Sequence, residues 1–108
     1  MINKSSSHGY KEVLKGIELK NLTFGDKTHL IQVNLKKGSI MPEHNHSQEQ
    51  TGYLLSGKLR FFSGEEEAIA HPGDSWTFPS NMTHGVEAME DTVVLECFSP
   101  ALEDYLKL

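Results

Sequence analysis

The sequence predicts an all-β domain, a sandwich or barrel of about eight short strands closed by one short C-terminal helix. Three observations carry this. Apolar runs are short and are broken at close intervals by turn residues: Lys37-Gly38-Ser39, Ser56-Gly57, Ser63-Gly64 and His71-Pro72-Gly73-Asp74. Several runs alternate with the two-residue period of a half-buried strand. No helical periodicity appears before the tail, so β-α units with a parallel sheet are not expected.

Residues 1–9 are polar and contain serine and glycine, and read as a flexible N-terminus. Residues 10–108 form one domain, since a chain of this length holds one core. Thr28–Leu35 is a strand with Leu30, Gln32 and Asn34 on one face and Ile31, Val33 and Leu35 on the other. Gly52–Leu55 and Lys58–Phe62 flank Ser56-Gly57 and read as a hairpin. Glu65–Ala70, Ser75–Phe78 and His84–Ala88 follow, with Pro79-Ser80-Asn81 as a break. Thr92–Ser99 is the long last strand. Proline opens the helical candidate Pro100–Leu108, where Leu102, Tyr105 and Leu106 share a side.

Ten lysines and arginines against fifteen acidic residues leave a formal charge of −5. A nucleic-acid backbone or an anionic membrane asks for clustered positive charge, so neither is expected as a partner. The N-terminus has no apolar core of the export-signal kind, and the single cysteine, Cys97, suits a reducing compartment, so the cytoplasm is expected. Cys97 lies in an apolar run and reads as a small buried hydrophobe. Trp76 and Phe78 read as core, and Glu65-Glu66-Glu67 as a solvated turn.

The segment from Gly38 to Gln50 carries the chemistry. In an extended segment His44 and His46 face the same side and could share one ion. Gln50 keeps that parity, whereas Glu49 points away. A returning strand could bring His84 across. His8, His29 and His71 have no partner at metal spacing and read as surface or turn residues. Three imidazoles and an amide oxygen form a neutral ligand set for one divalent metal ion, compatible with zinc, nickel, iron or manganese.

Gly38-(five residues)-His44-x-His46-(three residues)-Gln50-(six residues)-Gly57 resembles the first cupin motif, with Gln50 where glutamate is usual. Gly73-(five residues)-Pro79-x-Asn81-(two residues)-His84 resembles the second, with Asn81 where glycine is usual. The resemblance implies a cupin double-stranded β-helix, a jelly-roll barrel, with His44, His46, Gln50 and His84 as metal ligands. The stretches Pro72–Ala88, Asp91–Pro100 and Glu103–Leu106 are further similar to the KdgF pectin-degradation family. Members of that family use a three-histidine, one-glutamine metal site and convert 4,5-unsaturated uronates into their open-chain keto form. An Asp-x-Phe-Ser-Pro-x-Arg run lines their active site. Position by position, it places catalytic roles on Glu96 and Phe98 and puts Leu102 where the arginine would stand.

The implied function is keto–enol chemistry on a small sugar acid, with a Lewis-acid metal and Glu96 moving the proton at a raised pKa. The alternatives are a metal-dependent dioxygenase and a non-catalytic metal- or ligand-binding module. Strands around Gly52–Leu55 and Val93–Cys97 are apolar on both faces, which predicts a homodimer. The other available cover is the chain's own segment Val13–Leu19.

Overall fold

The computed structural model describes residues 1–108. It contains ten strands: β1 (Lys11–Leu14), β2 (Ile17–Phe24), β3 (His29–Leu35), β4 (Ile40–His44), β5 (Glu49–Ser56), β6 (Leu59–Ser63), β7 (Glu66–Ala70), β8 (Ser75–Phe78), β9 (His84–Ala88) and β10 (Thr92–Ser99). One helical turn, α1 (Glu103–Leu106), closes the chain. The six-stranded sheet has the order β1-β2-β3-β10-β5-β8, the four-stranded sheet β4-β9-β6-β7, and every pairing is antiparallel.

From β3 onward the chain crosses between the sheets at every connection except the β6–β7 hairpin. That alternation is the jelly-roll signature. It also overturns the hairpin expected across Ser56-Gly57. β5 pairs with β10 and β8, and β6 with β7 and β9, so this turn passes from one sheet to the other. Gly57 is required for two reasons: its φ is +97°, and a Cβ would overlap Thr92 and the Asp91 carbonyl.

The inner faces pack Leu19, Ile31, Val33, Leu54, Val94 and Phe98 of the large sheet onto Leu59, Ala70 and Ala88 of the small one. Ile31 and Val33 face inward and Leu30, Gln32 and Asn34 outward, as the alternation of β3 predicts. The sequence reading had no place for the β1–β2 hairpin. β2 extends the large sheet at the free edge of β3 and turns Ile17 and Leu19 into the core. This edge position also means that it does not cover the outer face formed by β5 and β10.

Three further expectations change. The helix is the single turn Glu103–Leu106 rather than Pro100–Leu108, with Leu102 at its N-cap. Cys97 is half-buried on the outer face of β10 rather than enclosed. His29 is fully buried, not a surface residue: Leu102 N–H donates to its Nδ1 at 3.2 Å, and its Nε2–H donates to Asn21 Oδ1 at 2.7 Å. Asn21 Nδ2 in turn donates to the Tyr105 carbonyl at 2.8 Å. This buried relay ties the C-terminal turn to the large sheet. Phe78 is buried and Trp76 packs on the core, as expected of strand aromatics.

Candidate metal centre

Four elements bring the chemistry to one end of the barrel. His44 ends β4 and stands directly across from His84 at the start of β9. Gln50, near the start of β5, lies between Phe98 of β10 and Phe78 of β8. His46 is not on a strand. Residues 45–48 form the loop from the small sheet to the large one, so a continuous extended segment from His44 to Gln50 does not exist. The three side chains nevertheless converge, because the loop wraps the barrel rim. Asn81 N–H donates to the His46 carbonyl at 2.8 Å and fixes that wrap. Asn81 itself has φ +66°, the left-handed conformation that explains why glycine is usual at this place in the motif. Glu49 is exposed and Gln50 buried.

Each imidazole is oriented by a carbonyl two residues away. Nδ1–H of His44 donates to the Pro42 oxygen at 2.8 Å, that of His46 to Gln48 at 2.9 Å, and that of His84 to Met82 at 2.8 Å. A carbonyl can only accept, so these contacts put the ring hydrogen on Nδ1 and leave Nε2 as a bare lone pair. The ligating atoms of the three rings lie within 4.8 Å of one another. Nε2 of His84 is buried with no hydrogen-bond partner. Nε2 of His46 lies 3.0 Å from Gln50 Oε1, itself an acceptor. The other end of the Gln50 amide donates to Glu96 Oε2, which fixes its oxygen toward the histidines. Three lone pairs and an amide oxygen facing one another repel unless a cation lies between them. A divalent ion fits this donor set, and the carbonyl contacts are the usual outer support of histidine ligands.

Burial, with the neighbouring imidazoles His44 and His46 adding to it, holds His84 below the ordinary histidine range against the opposing Met82 carbonyl. The ring is therefore neutral and available as a ligand near neutral pH. Phe78 stacks on it at 4.1 Å and Phe98 meets His46 edge-on at 5.6 Å. Burial pushes the Glu96 carboxyl up to about 8. The Trp76 indole N–H restrains that rise, yet its geometry falls short of a hydrogen bond and Nε1 remains a buried donor without a partner.

These groups line a cavity of about 50 Å³ whose other walls are mainly apolar, among them Met41, Phe61, Val86 and Tyr105. No lysine or arginine lines it. Arg60 bonds Glu87 at 3.0 Å and Glu67 at 3.1 Å with its guanidinium 4.7 Å from the Phe62 ring, and so does not reach the site. Leu102 packs against the core and is not part of the lining.

The cupin domain family matches residues 31–99. The pectin degradation protein KdgF of Dickeya dadantii is 30% identical over 99 residues, 90% of each chain. The chain belongs to the KdgF family of cupins. The solved structure of KdgF from Halomonas sp. superposes with a TM-score of 0.90 at 26% identity, covering 97% of this chain and 99% of that one. An RmlC-like cupin from Shewanella frigidimarina gives the same TM-score at 21% identity, which speaks for the fold alone. In this KdgF-family cupin the residues that both motifs single out, His44, His46, Gln50 and His84, stand together beside Glu96 and Phe98. Tyr105 was not singled out as a site residue. The only sequence signal was its place, with Leu102, on the apolar side of the tail.

Proposed function

We propose that the protein is a metal-dependent enzyme that ketonises a small unsaturated sugar acid, using His44, His46, Gln50 and His84 to hold one divalent ion and Glu96 to move the proton. The observation that carries this reading is the meeting of three imidazole lone pairs and an amide oxygen, directly beside a carboxyl that burial keeps protonated near neutral pH. Kinship to a pectin degradation protein supports the substrate class.

A bound divalent ion supplies Lewis-acid stabilisation of a developing enolate oxygen. Glu96, with a pKa pushed up to about 8, is suited both to deliver a proton to the substrate carbon and to recover one from the enol hydroxyl. Gln50 couples the two parts: its oxygen faces the ion's position and its amide N–H holds Glu96. Phe98 supplies an apolar wall of the cavity beside them. Because no cationic side chain faces the cavity, an acidic substrate would place its carboxylate on the ion itself. Glu96→Gln should lower turnover of a 4,5-unsaturated uronate by at least ~100-fold with metal content unchanged. Unchanged turnover would remove Glu96 from the mechanism, and oxygen uptake in place of ketonisation would move the protein to oxygenase chemistry.

A second copy of the chain is the proposed cover for the outer face of the large sheet. Tyr53 and Leu55 are exposed there and Leu95 and Cys97 half-buried. Apolar strand faces of this kind are characteristic of subunit contacts. The unpaired Cys97 thiol is in keeping with work in the cytoplasm.

A further inference from the structure

We propose that Tyr105, carried over the cavity by the C-terminal turn α1, is a substrate-binding residue whose hydroxyl selects ligands that offer it a neutral oxygen while they chelate the ion. The inference rests on the metal-site reading above and extends it to a residue that neither cupin motif contains.

Tyr105 lines the same cavity as the three histidines, Gln50 and Glu96. Its ring packs edge-on against Phe98 at 5.8 Å, and Phe98 touches His46 on the same wall. The backbone that delivers it is anchored twice from the large sheet, by Asn21 at the Tyr105 carbonyl and by His29 at the Leu102 N–H. A tyrosine recruited only for packing needs neither its hydroxyl nor these anchors. Here the ring is half-buried and the hydroxyl, which makes no hydrogen bond to any protein group, is not among the fully enclosed polar atoms, so it is open to a ligand in the cavity. Burial and the nearby Glu96 charge raise the phenol to about 12, so it stays an uncharged donor.

Two features of the cavity fix the ligand class. With no lysine or arginine on its walls, ligand charge is satisfied only at the ion. The Tyr105 phenol offers an uncharged hydrogen-bond donor, which suits a hydroxyl or carbonyl oxygen of a ligand held at the ion. A volume of about 50 Å³ holds only a few waters, so small α-hydroxy acids are the suitable probes.

Lactate and glycerate, compared as matched enantiomers, present the same hydroxy-carboxylate chelate and differ by a methyl against a hydroxymethyl arm. Titration calorimetry of each acid into zinc-loaded protein and into zinc-loaded Tyr105→Phe tests the proposal. The wild type should bind glycerate about three- to tenfold more tightly than lactate, the worth of one hydrogen bond. The variant should lose that preference through weaker glycerate binding, with lactate affinity, zinc stoichiometry and melting temperature unchanged. A preference that survives in Tyr105→Phe, or an equal loss for both acids, would overturn the role of Tyr105 and leave the metal site standing. Failure of both acids to bind zinc-replete wild-type protein would overturn the inference together with the reading it rests on.

Discussion

Removing the charge of Glu96 should make the metal-free protein more stable, by an amount that grows as pH rises above about 4.5 and levels off above about 8. The carboxyl is raised from 4.5 to about 8 by burial. The folded state therefore binds a proton that the unfolded state releases, and stability falls as pH rises from about 4.5 through about 8. A shift of that size corresponds to roughly 5 kcal/mol. Solvent reaching the carboxyl through the cavity, together with the Gln50 N–H, reduces this to about 2–3 kcal/mol. Glu96→Gln keeps the shape and the acceptor for Gln50 but cannot ionise. In chelator-treated samples the variant and the wild type should melt together at pH 5. At pH 9 the variant should melt about 8–12 °C higher, at ~4 °C per kcal/mol for a domain of this size. Zinc should narrow the gap, because the ion's charge favours ionised Glu96. Parallel melting curves across the whole pH range would refute the claim that Glu96 is buried at the protein's expense.

Two further outcomes follow from the same structure. Burial lowers the pKa of His29, so the stability it contributes is complete above about 6.5 and declines as pH falls below that value. His29→Phe should cost about 2 kcal/mol at pH 7, since Leu102 N–H and Asn21 lose their partner, and urea titrations should show the deficit shrinking toward pH 5. A pH-independent deficit would mean that His29 acts through packing alone. Sedimentation at micromolar concentration should return a dimer, and Leu55→Lys, placed on the exposed outer face of β5, should yield a folded monomer. A monomeric wild type would end the proposal that a second copy covers that face.

What the sequence made legible was the spacing of glycines, prolines and histidines. Gly57, Gly73 and Asn81 all take positive φ at the corners where the motifs require it. Gln50 faces inward and Glu49 outward as strand parity predicts, but not along an unbroken strand from His44: β4 and β5 belong to different sheets and the chain crosses at 45–48. The hairpin across Ser56-Gly57 failed for the same reason. A turn signal marks a reversal and does not say which sheet the next strand joins. β2 did carry a readable alternation in Ile17-Glu18-Leu19-Lys20, but an irregularity between Asn21 and Thr23 shifts its register and blurs the pattern. The roles of His29 and Tyr105 are illegible in the sequence because they depend on contacts, His29 with the Leu102 N–H and Asn21 with the Tyr105 carbonyl, that span more than seventy residues.

The most direct measurement is the elemental content of protein purified without added metal and of the same protein reconstituted with zinc, beside His84→Ala. Convergence of three Nε2 lone pairs with the Gln50 oxygen predicts about one divalent ion per chain in the wild type, and an affinity weakened by 100-fold or more in the variant. Wild-type protein that holds no stoichiometric ion in either preparation would contradict the account at its centre.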